Sequence, residues 1–531
     1  MLKIIKKINF VNFFWILFYL LIFSLLLKGG FSYLDPDFGW HLKVGEEISQ
    51  LGQVPHQNIY NYTYIGNWVD HEWLSDLMIY KIYTGVGYGA VVVFFALVVL
   101  LTIFGLNLYI KKKYKEKASF YVIAVLELFG VLAALPHFGV RIQELALLFL
   151  LVILVIIEAY NAKEDWRWLL ILPPLFYLWA NLHASFLIGL VILFFWLAVK
   201  FIEKIISGNE RYSFFVNKKK LITRSSSLVF LFFSVLSVLA TFITPYKLEL
   251  YEFLIGYKNK AYLSLIQEWL PQYSYPFYYD QIIYLALSAV AVLVLIYMAY
   301  RRQKKVNLWA LSLASVFIIL SFKSRRHFPL LFIVSLPLMV EFYSEFFQEL
   351  KRVAYQGWLK AVTLLCLLLV TIVQLLSTAP TSNPFKSYCS KYPCEATVFL
   401  KDNPQYLSGN IFNDYGWGGY LIWTMPEKKL FIDGRLPQLE IASKSFIEEY
   451  RSFFLEYENQ AKKLEEYDIS LVMIPAYDKE IRPKKWEAFI FNLRKEDLAS
   501  KNYLRKYLSE SAVWQLVYTD KTAHIYSKKS E

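Results

Sequence analysis

The chain has 531 residues, of which 57% are hydrophobic, 18% aromatic and only 19% charged, and its mean hydropathy is +0.38. Soluble domains carry roughly 25% charged residues, and the apolar residues here fall in runs of about 20, enough to cross a hydrocarbon core of about 30 Å; a soluble globular protein is excluded and an α-helical polytopic membrane protein is implied. The formal net charge of +13 does not indicate a nucleic-acid partner, because Lys and Arg gather at the ends of apolar runs, where they set topology and meet lipid headgroups.

The N-terminus, MLKIIKKINFVNFFWILFYLLIFSLLLK, starts basic and continues into an apolar run too long for a signal-peptide core. No small-residue cleavage site follows, so it reads as an uncleaved first span. Further spans are predicted to give about eleven helices in all, at 9–28, 88–110, 119–136, 140–159, 168–181, 183–205, 224–243, 281–300, 307–322, 328–345 and 358–377. The piece at 168–181 is short and suits a half-helix. Lys3, Lys6 and Lys7 precede the first span and Lys111, Lys112, Lys113, Lys115 and Lys117 follow the second. Lys218, Lys219 and Lys220 precede the seventh; Arg301, Arg302, Lys304 and Lys305 follow the eighth; Lys351 and Arg352 follow the tenth. All fall on one side, which is expected to be cytoplasmic. The connection 29–87 and everything after 377 are then expected outside the cytoplasmic membrane.

The first connection holds the densest titratable stretch, DPDFGWHLKVGEEISQLGQVPHQNIYNYTYIGNWVDHEWLSD, from Asp35 to Asp76. Asp35-Pro36-Asp37 suits the start of a helix that runs to Gly52, with Asp37 and His41 four apart on one face. A second helix is expected to begin near Asp70, placing Asp70, His71 and Glu72 in its first turn. Asp35 and Asp70 stand at positions where a helix cap alone would explain an Asp. Asp37 paired with His41 points toward function, and His71 with Glu72 could hold a divalent metal, although the spacing matches no zinc pattern.

Two basic groups break the positive-inside pattern. His137 with Arg141, and Lys323 with Arg325, Arg326 and His327, fall on the expected outer side. They answer either to a bound phosphate or to charge balance with the acidic loop and outer headgroups. Asn181 and His183 sit at a turn in WANLHASFLIGL, and 244–280 carries a Tyr-rich amphipathic pattern in which Gln267, Glu268 and Trp269 precede Pro271. From about 380, the short apolar runs GNIF, KLFID, SLVMIP, VWQLVY and HIYS alternate with charged helical stretches, which predicts a small α/β domain over 378–531. Cys389 and Cys394 would suit a local disulfide if that domain lies outside the cell. The stretch with Asn413, Asp414, Tyr415, Trp417, Gly418 and Gly419, and Asp433, Gly434 and Arg435 further on, could stack and hydrogen-bond a sugar. Its glycine-rich turns are more simply read as joints between strands and helices.

DPDFGWHL, WVDHEWLSD, RIQE, WANLHASFLIGL, TPY, EWLP, SRRHFPL, NDYGWGGYLIW and FIDGRL resemble a group of bacterial membrane proteins described as glycosyltransferases. Over most of the chain the plan is similar to the GT-C superfamily of polyprenyl-phosphate-sugar-dependent enzymes, distantly like protein O-mannosyltransferases and aminoarabinose transferases. The resemblance implies a transmembrane GT-C-like domain over 1–377 with the acidic loop 29–87, followed by an extracytoplasmic domain. It also implies inverting transfer of a sugar from a polyprenyl-phosphate-linked donor to an acceptor hydroxyl of a glycan, lipid or protein. Asp37 is then the expected general base with Asp35 its competitor, and His41, Asp70, His71 and Glu72 support the acceptor or a divalent cation such as Mg or Mn. Arg141, Arg325, Arg326 and His327 are expected on the donor phosphate, with Asn181, His183, Glu268 and Trp269 elsewhere on the outer face. Superfamily members often carry adjacent acidic residues in this loop, whereas Pro36 separates the two here. A lipid or polyanion transporter would instead place charges within the spans and show inverted repeats; a non-catalytic sugar-binding assembly protein of the same fold is a third class.

Overall fold

The computed structural model describes residues 10–208, 221–256, 261–301, 305–347, 357–436, 439–441, 444–456, 459–478, 483–491, 493 and 502–529. Lys3, Lys6, Lys7, Lys218, Lys219, Lys220, Arg302, Lys304, Lys351 and Arg352 lie outside the described residues.

Each of the eleven apolar runs forms a helix, as backbone polar groups in hydrocarbon require. Seven helices are long and apolar enough to cross a membrane among the described residues: Phe10–Ser32, Tyr88–Tyr114, Phe120–His137, Glu144–Lys163, Phe186–Ile206, Tyr279–Tyr300 and Arg325–Phe346. Arg224–Ala240, Leu308–Lys323 and Lys360–Leu376 are shorter apolar helices. The short run near 168 becomes a 3-10 turn, Trp166–Ile171, feeding the helix Leu172–Leu182. Its prolines sit in the first turn, where a missing N–H costs nothing.

The chain divides into two compact units. The first comprises 1–33, 89–247 and 268–380. Close helix approaches there use glycine: Gly30 lies against Val92, and Gly130 under the rings of Phe332 and Tyr284. Some of its buried polar side chains pair with one another, which offsets their desolvation. Asn107 Nδ2 donates to Glu127 Oε2 at 2.8 Å, and Gln281 Nε2 donates to the carbonyl of Ala133 at 3.0 Å while its Oε1 accepts from Gln272 Nε2 at 2.8 Å.

The second unit comprises 34–88, 248–267 and 381–531, so the acidic connection and the C-terminal segment form one body. Its sheet contains β1 (Asn410–Asn413), β2 (Ile469–Pro475), β3 (Trp514–Thr519) and β4 (Ala523–Lys528), in the order β1-β2-β4-β3. β1 runs parallel to β2 and the other pairs are antiparallel. Phe412, Phe431, Phe453, Val472, Ile474 and Leu504 form the centre of its core. Four of the five short apolar runs are thus strands. KLFID is not one: its Leu430 makes only an isolated bridge to Asn61, and the Phe431 and Ile432 amides donate to the side chain of Asn413. One amide oxygen takes the hydrogen bonds that a neighbouring strand would have supplied. Cys389 and Cys394 form a disulfide, and Cys366 is free and exposed.

Two loop helices, Phe38–Leu51 and Trp73–Val86, pack against each other with Gly45 on the Asp76 carbonyl. The helix Gly418–Thr424 crosses the first of them, with Gly39 facing the Gly419 carbonyl and Gly419 facing that of Pro36. A methyl at position 39 would overlap main chain, which cannot swing aside. Gly39→Ala is therefore expected to destabilise this unit by about 1–3 kcal/mol, seen as a lower thermal midpoint of the purified protein; an unchanged midpoint would contradict the crossing.

Candidate active site

Asp35 and Asp37 sit in the turn that leads into the first loop helix. Asp37 occupies its N-cap position but makes no side-chain cap, while Asp35 Oδ1 accepts from the Asp37 amide at 2.9 Å. The capping task thus falls to Asp35 and leaves the Asp37 carboxylate for other work. That carboxylate lies against Gly434, where any side chain would collide with Oδ1. Burial and the neighbouring Asp35 charge push its carboxyl up to about 7, with His41 pulling in the opposite direction. The helix ends where expected, at Gly52 in the left-handed conformation with φ 67°.

The second loop helix starts at Trp73, later than the sequence pattern suggests, so Asp70, His71 and Glu72 form the turn before it. Asp70 Oδ1 accepts from the Glu72 amide at 3.1 Å, which shapes that turn, and His71 Nε2 lies 2.9 Å from Glu72 Oε1. The ring of His71 also packs on Phe253, with centroids 5.5 Å apart. His41 pairs with Asp76 rather than with Asp37: Nδ1 to Oδ1 is 2.7 Å, and Asp76 is wholly buried. Burial, then the charges of neighbouring carboxylates, raise Asp70 and Asp76 well above the usual carboxylate range. Asp70 Oδ2 and Asp76 Oδ2 find no hydrogen-bond partner among the described residues.

His41, Glu72 and Asp76 each present a ligand atom within 4.8 Å of the others. One imidazole and two carboxylates suit a divalent cation, and the buried, unpartnered Asp76 oxygen fits the same purpose. Asp76 is the member that residue-by-residue reading missed. Its signal was present: it stands four after Glu72, the same spacing that marks Asp37 and His41.

The distinctive C-terminal residues build this site's frame. Arg435 Nε and Nη2 donate to the two Asp433 oxygens at 2.9 and 2.8 Å, and Nη2 also donates to Asn58 Oδ1 at 3.0 Å and Asn61 Oδ1 at 2.9 Å. The guanidinium lies over the rings of Tyr60 and Trp68 at 4.4 and 4.7 Å. Asp414 caps the turn Tyr415–Trp417 through the Gly416 amide at 2.9 Å, and Trp417 Nε1 donates to the Lys391 carbonyl at 3.0 Å. These side chains are engaged within the protein, in keeping with the joint reading.

The basic groups belong to the first unit. Arg141 Nη1 lies 3.0 Å from Glu268 Oε2, and Arg326 Nη1 bonds the other oxygen, Oε1. Arg326 stacks on Trp269 at 4.6 Å, and Trp269 meets His327 edge-on. Burial alone would raise the Glu268 carboxyl; Arg326 and Arg141 outweigh it and hold it at about 2. Arg325 is fully buried, with Nη2 on the Ser274 carbonyl and its plane over Tyr278 at 4.7 Å. Asn181 donates to the Tyr177 and Ile243 carbonyls, and His183 Nδ1 accepts from the Ser185 amide, so both shape the turn they occupy. Sequence reading did not single out Glu268 as the anion that Arg141 and Arg326 share.

No family model and no curated protein matches the chain. Solved structures do. The Archaeoglobus fulgidus oligosaccharyltransferase in its apo form aligns with a TM-score of 0.51 and 11% identity over 89% of this chain and 70% of that one. The archaeal oligosaccharyltransferase AglB from Archaeoglobus fulgidus, in complex with an inhibitory peptide and a dolichol-phosphate, gives 0.52 and 11% over 88% and 70%. The Archaeoglobus fulgidus oligosaccharyltransferase tethered to an acceptor peptide containing the NVT sequon gives 0.53 and 13% over 99% and 74%. At such identities the likeness concerns architecture: this chain has the GT-C-like fold of those oligosaccharyltransferases, a multi-helix membrane body with a small C-terminal sheet.

Proposed function

We propose that the protein is a membrane glycosyltransferase that moves a sugar from a polyprenyl-phosphate-linked donor to an acceptor hydroxyl on the outer face of the cytoplasmic membrane, with inversion. The observation that carries this is the convergence of His41, Glu72 and Asp76 in the first connection, with Asp37 near enough to feel the charges of His41 and Glu72, on a GT-C-like fold. The solved structures of like fold include complexes with a dolichol-phosphate and with an acceptor peptide, which supports a lipid-linked donor and a separate acceptor.

Asp37 accepts the proton of the acceptor hydroxyl. The oxygen then attacks the anomeric carbon, the bond from that carbon to the phosphate oxygen breaks, and the electron pair leaves with the lipid phosphate. A carboxyl titrating near neutrality suits a base that must take up a proton and release it again at each turnover. Asp35 fixes the turn that presents Asp37. His41, Glu72 and Asp76 would hold a divalent cation, which supplies positive charge to a site otherwise dominated by carboxylates; Asp70 and His71 fix the turn that carries Glu72. Arg141 and Arg326 would receive a lipid phosphate as paired guanidiniums do.

The test is release of lipid phosphate by purified protein from a panel of polyprenyl-phosphate sugars. Absence of turnover with every donor and acceptor class would reject the assignment. Exhaustive chelation is expected to suppress turnover and Mn or Mg to restore it. Asp76→Asn should raise the metal concentration for half-maximal rate by about 10–100-fold, and a rate indifferent to chelation would remove the metal.

A further inference from the structure

We propose that Glu268 is an internal competitor for the Arg141–Arg326 pair, a selectivity residue that keeps the single phosphodiester headgroups of bulk lipid off these arginines and yields only to a phosphate ligand held by additional contacts. The inference rests on the reading of the two arginines as phosphate-binding.

Arg141 precedes the helix Glu144–Lys163, and Arg326 lies in the first turn of Arg325–Phe346, both helices of membrane-spanning length. Guanidiniums at the ends of such helices stand where lipid headgroups are found. Phosphatidylglycerol and its relatives are phosphodiesters carrying one charge, present in large excess over any rare lipid-linked sugar. Two guanidiniums left open at that level would be occupied by them, because paired N–H donors match the oxygens of a phosphate.

Glu268 has the credentials of a stand-in. It carries the same single charge as a phosphodiester and offers two oxygens, one to each arginine. Being part of the chain, it competes at an effective concentration in the millimolar range. A headgroup of similar intrinsic affinity gains nothing by replacing it, whereas a ligand that also engages the protein through a sugar and an extended lipid can. Its carboxyl stays ionised across physiological pH, so exchange is governed by competing anions rather than by protons.

The contact is also accessible. The Arg141, Glu268 and Arg326 side chains are 13%, 25% and 28% exposed. Glu268 lies in the short 3-10 turn Gln267–Trp269 rather than within a long helix, so its displacement unwinds little structure. Trp269 stacks on Arg326 from the same turn and covers the guanidinium face, leaving its edges for the exchange. Two guanidiniums face one carboxylate, and the surplus positive charge attracts an incoming anion while Glu268 is still seated.

The experiment titrates full-length protein in neutral maltoside detergent with dihexanoyl-phosphatidylglycerol, measured by calorimetry, with dihexanoyl-phosphatidylcholine as the uncharged comparison. Glu268→Gln and Glu268→Ala should each bind the anionic lipid about 10-fold or more tightly than the wild type, with little change toward the zwitterionic one. Glu268→Gln combined with Arg326→Ala should lose the gain. Thermal midpoints close to wild type establish that the variants are folded, and either Glu268 variant suffices for the comparison. Equal or weaker binding by a folded Glu268 variant overturns the proposal, as does a gain that survives removal of Arg326. Turnover by the wild type with lipid-linked sugars is scored separately, so failure of the competitor role is distinguishable from failure of the glycosyltransferase reading.

Discussion

Asp37→Asn is expected to lower turnover by about 10²–10⁴-fold while donor binding is retained, because the amide keeps the shape of the carboxylate and loses only its ability to accept a proton. The comparison that makes this decisive is Asp35→Asn. Asp35 spends one oxygen on the Asp37 amide, so its loss should loosen the turn and cost less. Single-turnover rates with a lipid-linked sugar measure both. A larger loss for Asp35→Asn than for Asp37→Asn would transfer the role of base to Asp35, and full activity in both would dismiss a carboxylate base from this turn.

Arg435→Met is expected to unfold the second unit more readily than any surface change. Arg435 and Asp433 are each about 1% exposed in their side chains, and the guanidinium also holds Asn58 and Asn61. Removing one partner leaves Asp433 charged and uncompensated inside the protein, at a cost of about 3–5 kcal/mol. A fall of roughly 10 °C in the thermal midpoint follows. Adding Asp433→Leu should recover part of it, since a buried pair replaced whole costs far less than one broken in half. A midpoint for Arg435→Met within a degree of wild type would show that the pair does not hold the loop.

The membrane helices were legible because hydrocarbon allows few solutions. A run of about 20 apolar residues must be helical, and each of the eleven runs read from composition falls on a helix, seven of them long and apolar enough to cross a membrane among the described residues. The start of Glu144–Lys163 lies later than expected because Val140, Arg141, Ile142 and Gln143 form a turn before it. The soluble segment was legible as an α/β body but not strand by strand. KLFID has the composition of an edge strand, and what prevents it is Asn413, a residue whose side chain acts only once the chain has folded.

In the site, spacing along one helix was visible and pairing across elements was not. Asp37 and His41 share a helix face, yet His41 bonds Asp76 from the second loop helix. Arg326 and Arg141 stood out as misplaced cations, but their partner Glu268 comes from a connection more than a hundred residues from Arg141. From sequence, the glycines of the DYGWGG motif read as joints between strands and helices. Which backbone they admit, the carbonyl of Pro36, is a tertiary fact.

The bond from Arg435 to Asn58 joins residues 377 positions apart. A ribosome adding about 5–20 residues per second needs roughly 20–75 s to travel that distance. For this interval the acidic loop has been made and its frame has not, so its carboxylates must remain hydrated and its helices unsupported. Packing of the acidic loop around Arg435 is therefore a late event in biosynthesis, completed only after residue 435 has been made. Any chain released before Arg435 would carry every acidic residue of the site and lack the means to bury them.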